Sequence, residues 1–182
     1  MTAVETQGSP LGLIMQALHF AADKHRFQRR KDAHASPYIN HPIDLANVLV
    51  NEAHIEDPVV LVAAILHDTV EDTETSLAEI EGHFGAEIRA IVAEVTDDKA
   101  LAKAERKQRQ VDHAPHATFR AQQLKFADKI SNVRDIASSP PTEWSIERQR
   151  EYFDWAKRVV DAMRGPHARL EELFDAAYAG RP

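Results

Sequence analysis

The chain contains no cysteine. Disulfides and thiolate metal sites are therefore excluded, a composition that suits a reducing cytoplasm. No run of about 18 apolar residues occurs, so no segment is expected to span a membrane. The start Met1-Thr2-Ala3-Val4-Glu5 lacks the basic residues and apolar stretch of a signal peptide. These absences lead to the expectation of a cytoplasmic protein without a membrane partner. Aromatics are only 7% of the residues and glycines number six, while alanine and leucine are plentiful, a balance that favours helix. The formal net charge of -7 argues against a general nucleic-acid binder. What is present is a 43% hydrophobic content over 182 residues, enough for one domain with a sizeable core.

Charge is unevenly spread. Lys24-His25-Arg26-Phe27-Gln28-Arg29-Arg30-Lys31 is strongly basic, and Lys99, Lys103, Arg106, Lys107 and Arg109 form a second basic stretch. Basic clusters in an acidic chain suit a small phosphorylated ligand, although any single member is more often plain solvated surface.

The most informative segment is His67-Asp68-Thr69-Val70-Glu71-Asp72-Thr73, directly behind the apolar run Val59 to Leu66. Ionised groups placed where burial is costly need partners. If the helix continues through them, His67, Asp68, Glu71 and Asp72 fall near one face at spacings of three and four. Like charges at those spacings repel, and a divalent cation would relieve the repulsion. An isolated His-Asp pair would be read as solvated surface, whereas His-Asp-x-x-Glu-Asp behind a buried helix is not.

Periodicity and caps predict an all-helical chain. Residues 1 to 10 read as a disordered tail. Helices are expected from Leu11 to about Arg26, from His41-Pro42 onward, and from Asp57-Pro58 into His67. Ser76 opens a short helix with capping-box form, and Gly85 separates it from Ala86 to Val95. Residues 96 to 116 read as polar and without clear order. Further helices are expected over Ala117 to Ala137, 142 to 163 and 166 to 178, with no strand, repeat or domain linker.

Two more segments carry chemistry. Tyr38-Ile39-Asn40-His41-Pro42 puts a histidine at a helix start, and Lys125 to Asn132 puts Asp128 and Asn132 four apart on one helix face. Together with His67 and Asp68 they could offer one metal two imidazoles and two carboxylates, a sulfur-free set that suits Mn²⁺, Fe²⁺ or Zn²⁺.

The order His41, then His67-Asp68, then Asp128 is the pattern of the HD metallohydrolase superfamily. Arg30-Lys31, Pro37 to Pro42, Leu66 to Thr73, Phe84-Gly85, Val95 to Lys99 and Lys125 to Asp135, in this order, resemble the hydrolase domain of RelA/SpoT homologues, most of all the small stand-alone alarmone hydrolases of metazoan SpoT-like type. The resemblance covers Leu11 to the C-terminus. It implies a single HD-domain helical bundle over residues 11–182 around a mononuclear metal site. It also implies a Mn²⁺-dependent 3′-pyrophosphohydrolase that acts on guanosine tetraphosphate or pentaphosphate in the stringent response and does not make them. His41, His67, Asp68 and Asp128 would be metal ligands. Glu71 and Asp72 match the pair that acts on the attacking water and the transition-state protons. Arg30, Lys31 and Asn132 match nucleotide-site positions, and Lys103, Arg148 and Tyr152 are carried over with them. A longer loop, Asp32 to Ser36, departs from many bacterial relatives. Alternatives are a phosphatase acting on another nucleotide such as NADPH, or a regulatory nucleotide-binding module. The other eight histidines, His25 and His167 among them, read as structural or surface residues, and Trp144 and Trp155 as packing residues.

Overall fold

A computed structural model describes residues 9–182, so most of the tail expected over residues 1–10 lies outside the described residues. Ser9 instead belongs to the first helix, α1 (Pro10–Lys24): its Oγ accepts from the Gly12 N–H at 3.1 Å, with Pro10 in the first turn. Then come α2 (Asn40–Asn47), which runs on into a π-helical turn over Val48–Glu52, α3 (Pro58–Leu66) and the single turn α4 (Thr69–Asp72). α5 (Leu77–Phe84) and α6 (Ala86–Val95) meet at Gly85, whose φ of 88° favours glycine. α7 (Lys103–His113), α8 (Phe119–Ser138), α9 (Ile146–Asp161) and α10 (Ala168–Tyr178) complete the bundle. Among the described residues there is no sheet, only one isolated antiparallel bridge between Arg29 and Pro37.

The hydrophobic sequence of α3 decides where it goes. Every residue from Val60 to Leu66 is buried, so α3 has no solvent face and must sit at the centre. It packs against α1, α2, α6 and α8. Asp57 caps it, accepting from the Val59 N–H at 3.0 Å. α1 presents the small residues Ala17 and Ala21 to the core, which lets it lie close against α3.

One condition is not met and one expectation is corrected. α3 does not run on through Asp72: it stops at Leu66, and Asp68 lies outside both helices with φ -90° and ψ -7°. Residues 103–113, read as lacking clear order, form α7, which buries none of its residues. It has no apolar stripe to announce it. Tertiary contacts hold it: the Trp155 indole N–H donates to the Lys107 carbonyl at 3.0 Å, and the Lys107 ammonium lies 4.7 Å from the centre of that ring.

Candidate metal centre and nucleotide cavity

Each element delivers one part of the site. The start of α2 supplies His41, the break after α3 supplies His67 and Asp68, and α8 supplies Asp128. His41, His67 and Asp128 can each place one ligand atom within 4.8 Å of the others. Asp68 joins them: its Oδ2 is 3.0 Å from His67 Nε2 and 3.8 Å from His41 Nε2, while Asp128 Oδ1 is 3.3 Å from His41 Nε2. The four residues expected as ligands therefore converge from three segments.

Their surroundings orient them. His67 Nδ1 donates to the Ala64 carbonyl at 2.7 Å, which turns Nε2 toward the carboxylates. Tyr38 donates its hydroxyl to Asp68 Oδ2 at 2.5 Å. Asp128 accepts from Asn132 Nδ2 at 2.6 Å on Oδ1 and from Lys129 Nζ at 2.8 Å on Oδ2. Lys129 is only 4% exposed, and its ammonium also lies 4.4 Å from the centre of the Trp155 ring.

The field at the centre favours positive charge. Burial alone would lower the His67 pKa, but the adjacent Asp68 carboxylate, with Asp128, raises it to about 9. Burial opposes ionisation of Asp68 and Asp128, yet both stay well below the usual carboxylate range. His67 does this for Asp68, and Lys129 and His41 do it for Asp128. Two buried imidazoles and two half-buried, ionised carboxylates gathered together fit a divalent cation.

Glu71 and Asp72 stand beside this cluster in different states. Glu71 is raised above an ordinary glutamate by burial first and by Asp68 second. Its Oε2 accepts one N–H, from Asp97 at 3.3 Å. Asp72 accepts from Lys99 Nζ at 2.6 Å and from Gln28 Nε2 at 3.0 Å.

The cluster lies in a cavity of about 670 Å³ that Arg30, Lys31, Asn132 and Tyr152 also line. A second chamber of about 450 Å³ shares Glu71, Asp97, Gln110, Trp144 and Tyr152 with the first and adds Lys103, Arg106, Lys107 and Arg148. All twelve residues expected at the site thus line one chamber or the other. Two of the residues expected to contact the nucleotide are already engaged: Arg30 is ion-paired to Asp135, and Asn132 donates to Asp128. Trp144, expected as a packing residue, lines both chambers, with the Arg148 guanidinium 4.5 Å from its ring centre. Sequence reasoning assigned no role to Tyr38, Lys129, Gln28 or Asp97. All but Gln28 lie within the family-like segments, which were the available signal.

The HD domain family matches residues 17–154. The chain is also 54% identical over 174 residues to the guanosine-3′,5′-bis(diphosphate) 3′-pyrophosphohydrolase MESH1 of Homo sapiens, covering 96% of this chain and 97% of that one. The chain belongs to the HD-domain family, among the RelA/SpoT homologues. This HD-domain chain is similarly 47% identical to the Drosophila melanogaster MESH1, with 94% and 96% of the two chains covered. A solved structure of a metazoan ortholog of SpoT, described as hydrolysing ppGpp and acting in starvation responses, superposes with a TM-score of 0.90 at 47% identity, covering 93% of this chain and 95% of that one. A Listeria monocytogenes structure gives 0.62 at 27% identity, covering 78% of this chain and 98% of that one.

Proposed function

We propose that this protein hydrolyses guanosine 3′,5′-bis(diphosphate) to GDP and pyrophosphate in the cytoplasm, with Mn²⁺ as the resident cation. The observation that carries the reading is the convergence of His41, His67, Asp68 and Asp128 on the floor of a cavity whose adjoining chamber is lined by Lys103, Arg106, Lys107 and Arg148. A substrate with phosphates at two ends matches cationic side chains in both chambers. The relatives' names, at about half identity and nearly full coverage, support the same substrate.

His41, His67, Asp68 and Asp128 would hold the cation, which when bound supplies Lewis acidity and a more acidic water. Glu71 accepts the proton of the attacking water. Burial gives it a pKa closer to neutrality than that of a solvated glutamate, as a general base requires. The water oxygen forms a bond to the phosphorus attached at the 3′ oxygen, and the bond from that phosphorus to the 3′ oxygen breaks. The 3′ oxygen leaves with the proton that Glu71 took from the water, giving GDP and pyrophosphate. Asp72, held by Lys99 and Gln28, lines the same cavity beside Glu71. Arg30 and Lys31 counter phosphate charge at the 3′ end, with Asn132 holding Asp128, while Lys103 and Arg148 bind the far phosphates and Tyr152 walls the passage between the chambers.

A substrate panel tests this reading. With Mn²⁺ present, the tetraphosphate is expected to yield pyrophosphate and GDP faster than NADPH yields inorganic phosphate. Preference for NADPH would move the function to the alternative phosphatase.

A further inference from the structure

Asp72 has both carboxylate oxygens engaged from opposite directions in sequence. Oδ1 accepts from Lys99 Nζ in the loop between α6 and α7, and Oδ2 accepts from Gln28 Nε2 just beyond α1. A carboxylate needs donors, so the Gln28 amide must turn its nitrogen toward Asp72 and its oxygen away. That oxygen lies 2.6 Å from Nδ1 of His25. The His25 ring is 2% exposed, and Gln28 fixes its tautomer: Nδ1 carries the proton. Its Nε2 is buried without a partner among the described residues, a costly arrangement in a ring whose other nitrogen orients Gln28.

The loop that carries Lys99 also holds the other member of the pair. The Asp97 N–H donates to Glu71 Oε2, and the Asp97 carboxylate is itself fixed by Gln110 Nε2 at 2.7 Å. Lys99 lines neither chamber, and its side chain is half exposed. An ion pair so exposed adds little to fold stability, so its effect is to be sought in geometry. Glu71, in contrast, keeps one oxygen free of any protein hydrogen bond among the described residues.

We propose that Lys99, Gln28 and His25 are positioning residues: they clamp Asp72 as an immobile brace and leave Glu71 as the carboxylate that exchanges protons. The proposal rests on the hydrolase reading above and divides the labour within its acidic pair.

A double-mutant cycle on tetraphosphate hydrolysis with Mn²⁺ tests it. Lys99→Met is expected to lower kcat about tenfold to a hundredfold, the scale of loss when a catalytic group is misplaced. KM stays within about twofold of wild type, as expected for a residue outside the cavity. The melting temperature is expected not to move, and Lys99→Arg is expected to restore most of the rate. In an Asp72→Asn background, Lys99→Met is expected to cost nothing further, because its route of action has gone. A raised KM at unchanged kcat, or a Lys99→Met loss of full size in the Asp72→Asn background, overturns the proposal. A second readout needs no turnover. Nitrogen NMR of the His25 ring in zinc-loaded protein is expected to show the Nδ1–H tautomer, and Gln28→Leu is expected to lose it. A ring protonated only at Nε2 in the wild type overturns the clamp whatever the substrate. The Nδ1–H tautomer without tetraphosphate turnover supports the clamp and overturns only the functional reading.

Discussion

Asp68 Oδ2 lies 3.0 Å from Nε2 of His67, its neighbour in sequence. Consecutive residues on a continuous α-helix do not face one another. These two meet because α3 ends at Leu66 and Asp68 adopts the bridge-region backbone in which many active-site residues are found. The break gathers one imidazole and one carboxylate at the end of a helix that is otherwise wholly apolar. Asp68 also receives the Tyr38 hydroxyl and faces His41, so its carboxylate ties the end of α3 to the start of α2. Asp68→Ala is expected to remove stoichiometric metal, read by elemental analysis after dialysis. Retention of one Mn²⁺ per chain would refute the ligand assignment.

Glu71→Gln preserves the size and polarity of the side chain and removes its charge. Metal content is expected to stay near normal, because Glu71 is engaged by the Asp97 N–H and not by the histidines. Turnover is expected to fall by about 10²–10⁴-fold, the usual span for a lost acid-base group. Full activity with full metal would end its assignment as the base.

The metal-free protein should be sensitive to pH in a defined window. In the folded chain His67 has a pKa of about 9, above its ordinary 6.5, because of Asp68 and Asp128 and against burial. The stability it contributes, up to about 3 kcal/mol, is fully present below pH ~6.5 and is lost as pH rises through about 9. Melting curves of metal-free protein are therefore expected to shift down across that window, and His67→Asn is expected to flatten the trend. Saturating Mn²⁺ should remove the decline, since a cation binds the neutral imidazole and takes the place of its proton. A flat profile in metal-free wild type would contradict the electrostatic account.

Lys103 and Arg148 line the second chamber, away from the metal ligands. Replacing either with alanine is expected to raise KM by about tenfold, the worth of a charge-assisted hydrogen bond of roughly 1.4 kcal/mol. The metal content should not change. A fall in kcat with KM unchanged would place these side chains at the reacting centre instead.

Much of this was legible in the sequence because the relevant signals are local. The unbroken apolar run identifies α3 as central, Ser76 and Gly85 bound α5, and Asp128 and Asn132 do stand one turn apart on α8. α7 was not legible, because its residues carry no apolar stripe and it is held by Trp155 from another helix. The break at His67 was hidden by helical spacing that fits equally well on either side of it. The pairs Tyr38–Asp68, Gln28–Asp72 and Arg30–Asp135 join residues 30, 44 and 105 positions apart, which no periodicity reports. Of the histidines read as structural or surface, His167 is structural: its Nε2 lies 3.0 Å from Gln122 Oε1 beneath the stacked ring of Phe119. His25 is buried too, but in the chain that leads to Asp72.

The most direct measurement is hydrolysis of guanosine tetraphosphate by protein stripped of metal, with and without added Mn²⁺, with the products resolved. The account predicts no turnover in the stripped protein and release of pyrophosphate with GDP once Mn²⁺ is restored. Turnover that is indifferent to metal, or a protein that binds Mn²⁺ stoichiometrically and leaves the tetraphosphate intact, would contradict it.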